Sequence, residues 1–165
     1  MDYKKFVDEY NVANDKAKYV QKHIVNCYIP YEDKIAQCQK IVDVTSHKTV
    51  NIDGKERVIY CQNSAMQYML FVMQMISNYT DIEWNKETGE NNELLTVFNM
   101  FNKYGIIDDL ITLFPQREHA MFIKTLENVS NDVYENERSI PSYLETKFET
   151  LSLSLTELIN NAPSK

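Results

Sequence analysis

Ser64-Ala65-Met66-Gln67-Tyr68-Met69-Leu70-Phe71-Val72-Met73-Gln74-Met75-Ile76-Ser77-Asn78-Tyr79 is the stretch that sets the fold class. Its apolar residues leave almost no polar face when wound as a helix. A helix that is apolar all round has to be buried, so this segment predicts a central core element over about residues 65–79. Ser64 and Gln67 have capping-box spacing, with Ser64 as N-cap and Gln67 reaching back. The most apolar part, Met69 to Met73, is cut off by Gln67 and Gln74. It falls far short of the roughly 20 residues that span a bilayer.

On the N-terminal side, Tyr3, Phe6, Val7 and Tyr10 share one helical face, with Asp2 as N-cap. A second helix is expected from about Asn14 to Asn26, with Ala17, Val20, Ile24 and Cys27 on its apolar side. Pro30 ends that stretch and suits the first turn of the next helix, which carries Ile35, Cys38, Ile41 and Val42 inward to about Val44. Residues 47–61 then alternate around Asp53-Gly54, the pattern of a β-hairpin. A three-residue loop, Ile52 to Gly54, gathers Val50, Val58 and Tyr60 on one face. A two-residue loop sends the two valines to opposite faces, so the three-residue loop is expected.

On the C-terminal side, residues 80–92 form a polar, acidic connection containing Glu83, Trp84, Glu87 and Glu90. A helix is predicted from about Glu93 to Tyr104, with Leu94, Leu95, Val97, Phe98 and Phe101 inward and Gly105 as its stop. A short one comes next over residues 107–114, then a long one from about Pro115 to Arg138. Ser142 caps a final helix through Leu144, Phe148, Leu151, Leu155 and Leu158. The expected fold is mainly α, six to eight helices with one small β-hairpin. The 165 residues make one domain, or one domain with a small appendage. The 3 Gly and 4 Pro are too few for a sandwich or barrel rich in tight turns.

Charge narrows the partners. Residues 1–60 carry ten Lys/Arg and nine Asp/Glu, whereas residues 61–165 carry seven and fifteen. An acidic surface repels nucleic acid, so direct DNA or RNA binding is not expected. Cys27, Cys38 and Cys61 are three in number and form no C-x-x-C pair. Residues 1–6 lack the apolar region of a secretory signal. A reducing cytoplasm and no membrane are expected.

No catalytic, cofactor or metal motif emerges. His23 and Cys27 stand at i, i+4 as half of a metal site, but nothing supplies a second spaced pair. Three glycines cannot build a phosphate-cradling loop or a dinucleotide fingerprint. Asp8/Glu9, Glu32/Asp33 and Asp108/Asp109 are sequence neighbours, which point in different directions on a helix. No cofactor is expected. Candidate partner-binding residues are Trp84, if exposed, the acidic Glu83, Glu87 and Glu90, and Tyr28 and Tyr31 among the chain's 11 tyrosines.

Three stretches resemble small uncharacterised proteins from the structural-gene region of tailed phages of Gram-positive bacteria. They are Tyr28-Ile29-Pro30-Tyr31-Glu32-Asp33-Lys34-Ile35, Gln67 to Val72 with Tyr79-Thr80-Asp81-Ile82, and Glu135 to Leu144. The resemblance implies a non-enzymatic protein similar to head–tail connection proteins or tail assembly chaperones. Such proteins bind other phage structural proteins, with homo-oligomerisation open, in the host cytoplasm or in the virion. It assigns no residue a role. The alternative is a small acidic phage-encoded inhibitor of a host defence or nucleic-acid enzyme, its 81–93 segment mimicking phosphate spacing. A third class, an enzyme with an unrecognised site, needs a pocket that brings together His23, Cys27 or the Asp108/Asp109 pair.

Overall fold

Asp2 opens the first helix by accepting from the amides of Lys4 and Lys5 at 2.9 and 3.3 Å, as its position before the apolar run predicts. The computed structural model describes residues 1–52, 54–85 and 93–137. Among them the chain is mainly α with one small hairpin. In order come α1 (Tyr3–Val12), α2 (Lys16–Lys22), α3 (Tyr31–Ser46), β1 (His47–Ile52), β2 (Lys55–Tyr60), α4 (Ser64–Tyr79), α5 (Leu94–Lys103), α6 (Ile106–Leu113) and α7 (Gln116–Glu137). The helix expected over residues 142–158 lies outside the described residues.

The chain divides into two compact units, Met1–Val129 and Ser130–Lys165. The described part of the second is the end of α7. In the first unit, Tyr3, Phe6, Val7 and Tyr10 of α1 are all buried, as their spacing predicts. Phe6 gathers rings from α2, from its C-cap and from α5. Tyr19, His23 and Phe101 have centroids 5.2, 5.1 and 6.0 Å from its own. Such pairs add about 0.5–1.5 kcal/mol each beyond their burial.

The central helix departs from expectation at its start. Asn63 is the N-cap, its side chain accepting from the Met66 amide at 3.0 Å, and Ser64 is already helical. Asn and Ser are equivalent caps, so spacing alone does not separate them. From Phe71 to Tyr79 the helix buries Phe71, Val72, Met73, Met75, Ile76 and Tyr79, but Met66 and Tyr68 in its first turns are exposed. The helix is therefore not buried all round.

Neighbouring elements shift further expected boundaries and faces. α2 stops at Lys22, because the backbone beyond His23 finds partners outside the helix. Ile24 bridges Thr80 antiparallel, and Asp81 N–H donates to the His23 carbonyl at 3.1 Å. Cys27 is consequently exposed on an extended segment. On α3 the inward row is Lys34, Cys38, Ile41, Val42 and Thr45, which turns Ile35 outward. Leu95 of α5 is also exposed, while Val97 and Phe101 are buried. Gly105, at φ +72°, separates α5 from α6 in the left-handed conformation that disfavours side chains.

The hairpin takes the two-residue loop. Val50 pairs with Arg57 and Thr49 with Val58, so Val50 and Val58 lie on opposite faces. Gathering apolar residues fixes register only where one face is covered, and Val58 and Ile59 are both exposed here. The turn decides instead. Asp-Gly favours the two-residue form, whose twist matches that of the strands, with Gly54 at φ +78°.

Candidate functional site

The segment between α2 and α3, residues 24–30, has no regular structure of its own, yet every amide from Val25 to Ile29 has an acceptor. Val25 and Asn26 donate to the Tyr79 carbonyl at 2.9 and 3.3 Å. Cys27 and Tyr28 donate to the side-chain oxygen of Asn26 at 2.9 and 3.3 Å. Ile29 donates to Glu118 Oε2 at 3.1 Å. Pro30 has no N–H to satisfy and opens α3. Irregular backbone held at each position behaves as a rigid strap.

The strap is anchored on a buried ion pair. Lys34 is 0% exposed and Glu118, on the first turn of α7, 7%. Lys34 Nζ lies 2.8 Å from Glu118 Oε2 and donates to the Ile29 carbonyl at 2.6 Å. The Tyr79 hydroxyl donates to the same Oε2 at 2.9 Å. The pair therefore holds both backbone groups of Ile29 and joins α3, α4 and α7 at one point. Burial alone would raise the Glu118 pKa. The Lys34 ammonium, the Ile29 amide and the Tyr79 hydroxyl outweigh it and hold the carboxyl below the usual range. Burial, and then the bond to Glu118, push the Tyr79 hydroxyl up.

Tyr28 and Tyr31 flank this anchor and face outward, 59% and 48% exposed. The Lys34 ammonium sits 5.0 Å from the centroid of the Tyr28 ring, a cation–π contact at the ring's inner side. Val25 and Ile35 are exposed on the same stretch of chain. Both tyrosines are legible as candidates in the sequence. Lys34, Glu118 and Tyr79 are missed by sequence reasoning, although Lys34 stands one helical turn before Cys38 in the inward row.

The remaining candidates are dispersed. Trp84 is 8% exposed and lines a cavity of about 150 Å³ with Ile41, Met73 and Leu94. It is a packed aromatic, not a presented one, so the exposure on which its candidacy for partner binding depended is not met. The Glu83 backbone joins the chain start, donating to the Met1 carbonyl at 2.7 Å and accepting from Tyr3 N–H at 3.0 Å, while its side chain is open to solvent. Glu87 and Glu90 lie outside the described residues.

His23 Nδ1 stands 2.9 Å from Asp81 Oδ1, and the Tyr10 hydroxyl donates to Asp109 Oδ2 at 2.7 Å. His23, Cys27 and the Asp108/Asp109 pair are thus engaged in different places. Among the described residues no three His, Cys, Asp or Glu side chains converge as metal ligands. No helix among them is long and apolar enough to cross a membrane.

A groove of about 350 Å³ is lined by Tyr68, Phe71 and Val72 of α4, and by His119, Ile123 and Leu126 of α7. Burial lowers the pKa of His119, whose ring centroid is 6.2 Å from that of Phe71. No protein family, curated protein or solved structure matches the chain.

Proposed function

We propose that the protein is a non-enzymatic structural or assembly protein of a tailed phage, working in head–tail connection or tail assembly by contact with other phage proteins. The observation that carries the contact reading is the strap at residues 24–30. It presents Tyr28 and Tyr31 from a backbone whose amides are satisfied at every position from Val25 to Ile29. Tyrosine is enriched among binding hot spots, and a preformed surface avoids the ordering cost of association. The buried Lys34–Glu118 pair supports the same reading. Such a pair adds little net stability over apolar packing, so its use here is to fix the strap.

The test compares capture by the tagged wild-type chain and by a Tyr28→Ala/Tyr31→Ala variant from phage-infected cells, with bound proteins identified by mass spectrometry. Portal, capsid or tail proteins held by the wild type and lost by the variant, at unchanged thermal stability, are the expected result. Capture of a single host enzyme without virion proteins overturns the assembly role and favours the inhibitor. Virion proteins retained equally by the variant remove Tyr28 and Tyr31 from the contact.

A further inference from the structure

The strap and the helix it leads into carry surface charge of one sign. Between His23 and Lys40 the charged side chains are Glu32, Asp33 and Lys34. Lys34 is buried and paired with Glu118. Glu32 and Asp33 are exposed, and among the described residues neither forms an ion pair. No cation of this stretch is left at the surface to meet them.

Helical spacing separates the two acids. Ile35 stands four residues after Tyr31 and three after Glu32, so these three side chains share one face of α3. All three are exposed. Asp33 lies about 200° round the helix from Tyr31, on the opposite flank. Both acids favour the positive end of α3, whose N-cap Pro30 supplies no side-chain hydrogen bond. That role leaves open what the exposed ring and aliphatic side chain beside Glu32 meet. The Tyr28 ring already has the Lys34 ammonium against its inner side, whereas among the described residues no cation lies over the Tyr31 ring.

We propose that the face made by Tyr31, Glu32 and Ile35 takes an arginine of a partner protein. The guanidinium lies on the Tyr31 ring and forks onto the Glu32 carboxylate, and an apolar neighbour of that arginine covers Ile35. The proposal rests on the strap being the contact surface and names the chemistry of what it contacts. Charge selects a basic partner, because the exposed charges of this stretch are both carboxylates. Geometry selects arginine over lysine. Its planar group stacks on an aromatic face and pairs with a carboxylate at the same time. Tyrosine and arginine are also among the residue types most enriched at binding hot spots.

The test screens the full chain, immobilised, against a display library of random linear peptides. Peptides carrying arginine beside an apolar residue should be enriched over a support without protein. A synthetic copy of the most enriched peptide should bind Glu32→Lys about tenfold more weakly than wild type, and Asp33→Lys about as well as wild type. Both substitutions put a lysine at the same helix end, so Asp33→Lys reports the cost to α3 alone. Replacing the peptide's arginine by lysine should also weaken its binding to the wild type. No enrichment of arginine, an equal loss at Asp33→Lys, or a lysine peptide that binds equally well overturns the proposal. Binding lost in Tyr28→Ala/Tyr31→Ala but kept in Glu32→Lys overturns the arginine and leaves the strap as the contact. Binding untouched by either variant removes the strap as well. A wild-type dimer in light scattering that Tyr31→Ala splits makes a second copy the occupant and overturns the proposal too.

Discussion

Lys34 and Glu118, distant in sequence and on different helices, meet at 2.8 Å inside the protein and together grip both backbone groups of Ile29. Removing one partner of a buried pair leaves the other charge unpaired, which costs about 3–5 kcal/mol. Lys34→Met is therefore expected to destabilise by about 3 kcal/mol or more, read from urea unfolding. Adding Glu118→Gln to that variant should recover part of the loss. A double variant no better than Lys34→Met would show that the two side chains are not coupled.

Acid should act in two stages. Glu118 has a depressed folded-state pKa, so the unfolded chain binds its proton more readily. Its contribution is complete above the ordinary glutamate value of about 4.3 and is lost as pH falls through the lower folded value. Burial depresses His119 as well, so the unfolded chain takes up that proton first once pH drops below about 6.5. Melting temperature should decline gently below about 6.5 and steeply below about 4.3. His119→Phe should abolish the gentle part alone, and a profile unchanged by that substitution would assign it elsewhere.

Thiol reactivity should divide the cysteines. Cys27 and Cys61 are exposed and Cys38 is buried, its thiol pushed up to about 11 by burial. In the native protein a disulfide reagent is expected to modify Cys27 and Cys61 quickly and Cys38 only on the timescale of unfolding. Rapid modification of all three would show that the packing of α3 against α7 opens readily.

Gly105 offers a test of backbone strain free of crowding. A Cβ there meets nothing within 4 Å, but φ is +72°. Gly105→Ala should cost about 1–2 kcal/mol from conformation alone, and Gly105→Asn less, since asparagine tolerates the left-handed region. Equal losses for the two would point to a contact instead.

Tyr10 and Asp109 join α1 to α6 through a 2.7 Å hydrogen bond. Tyr10→Phe keeps the buried ring and removes the donor, an expected loss of about 1.5–3 kcal/mol for a bond to a charged acceptor. Tyr10→Phe at wild-type stability in chemical denaturation would show that water replaces the hydroxyl without penalty.

The helices are legible in the sequence because apolar spacing reports burial directly. The row of α1, the buried second half of α4 and the stops at Gly105 and Pro115 all come from local chemistry. The departures share a cause. The end of α2, the exposure of Ile35 and the hairpin register are each settled by what lies across from the segment. A row that begins with lysine does not announce a core position, so Lys34 stays hidden although Cys38, Ile41 and Thr45 continue its face. Trp84 sits in a polar stretch whose composition says nothing about the cavity it lines with Met73.

Residues 79–83 touch the beginning of the chain twice. They accept from Val25 and bridge Ile24 on one side, and they bond Met1 and Tyr3 on the other. During synthesis, α1 and α2 emerge from the ribosome well before these partners exist. The N-terminal helices therefore wait with Phe6 and Tyr10 partly uncovered until Phe101 of α5 and Asp109 of α6 have come out behind them. Closure of so long a stretch is the slow kind of contact in folding. During that interval the exposed apolar face of α1 is open to contact with other chains, the condition under which aggregation starts.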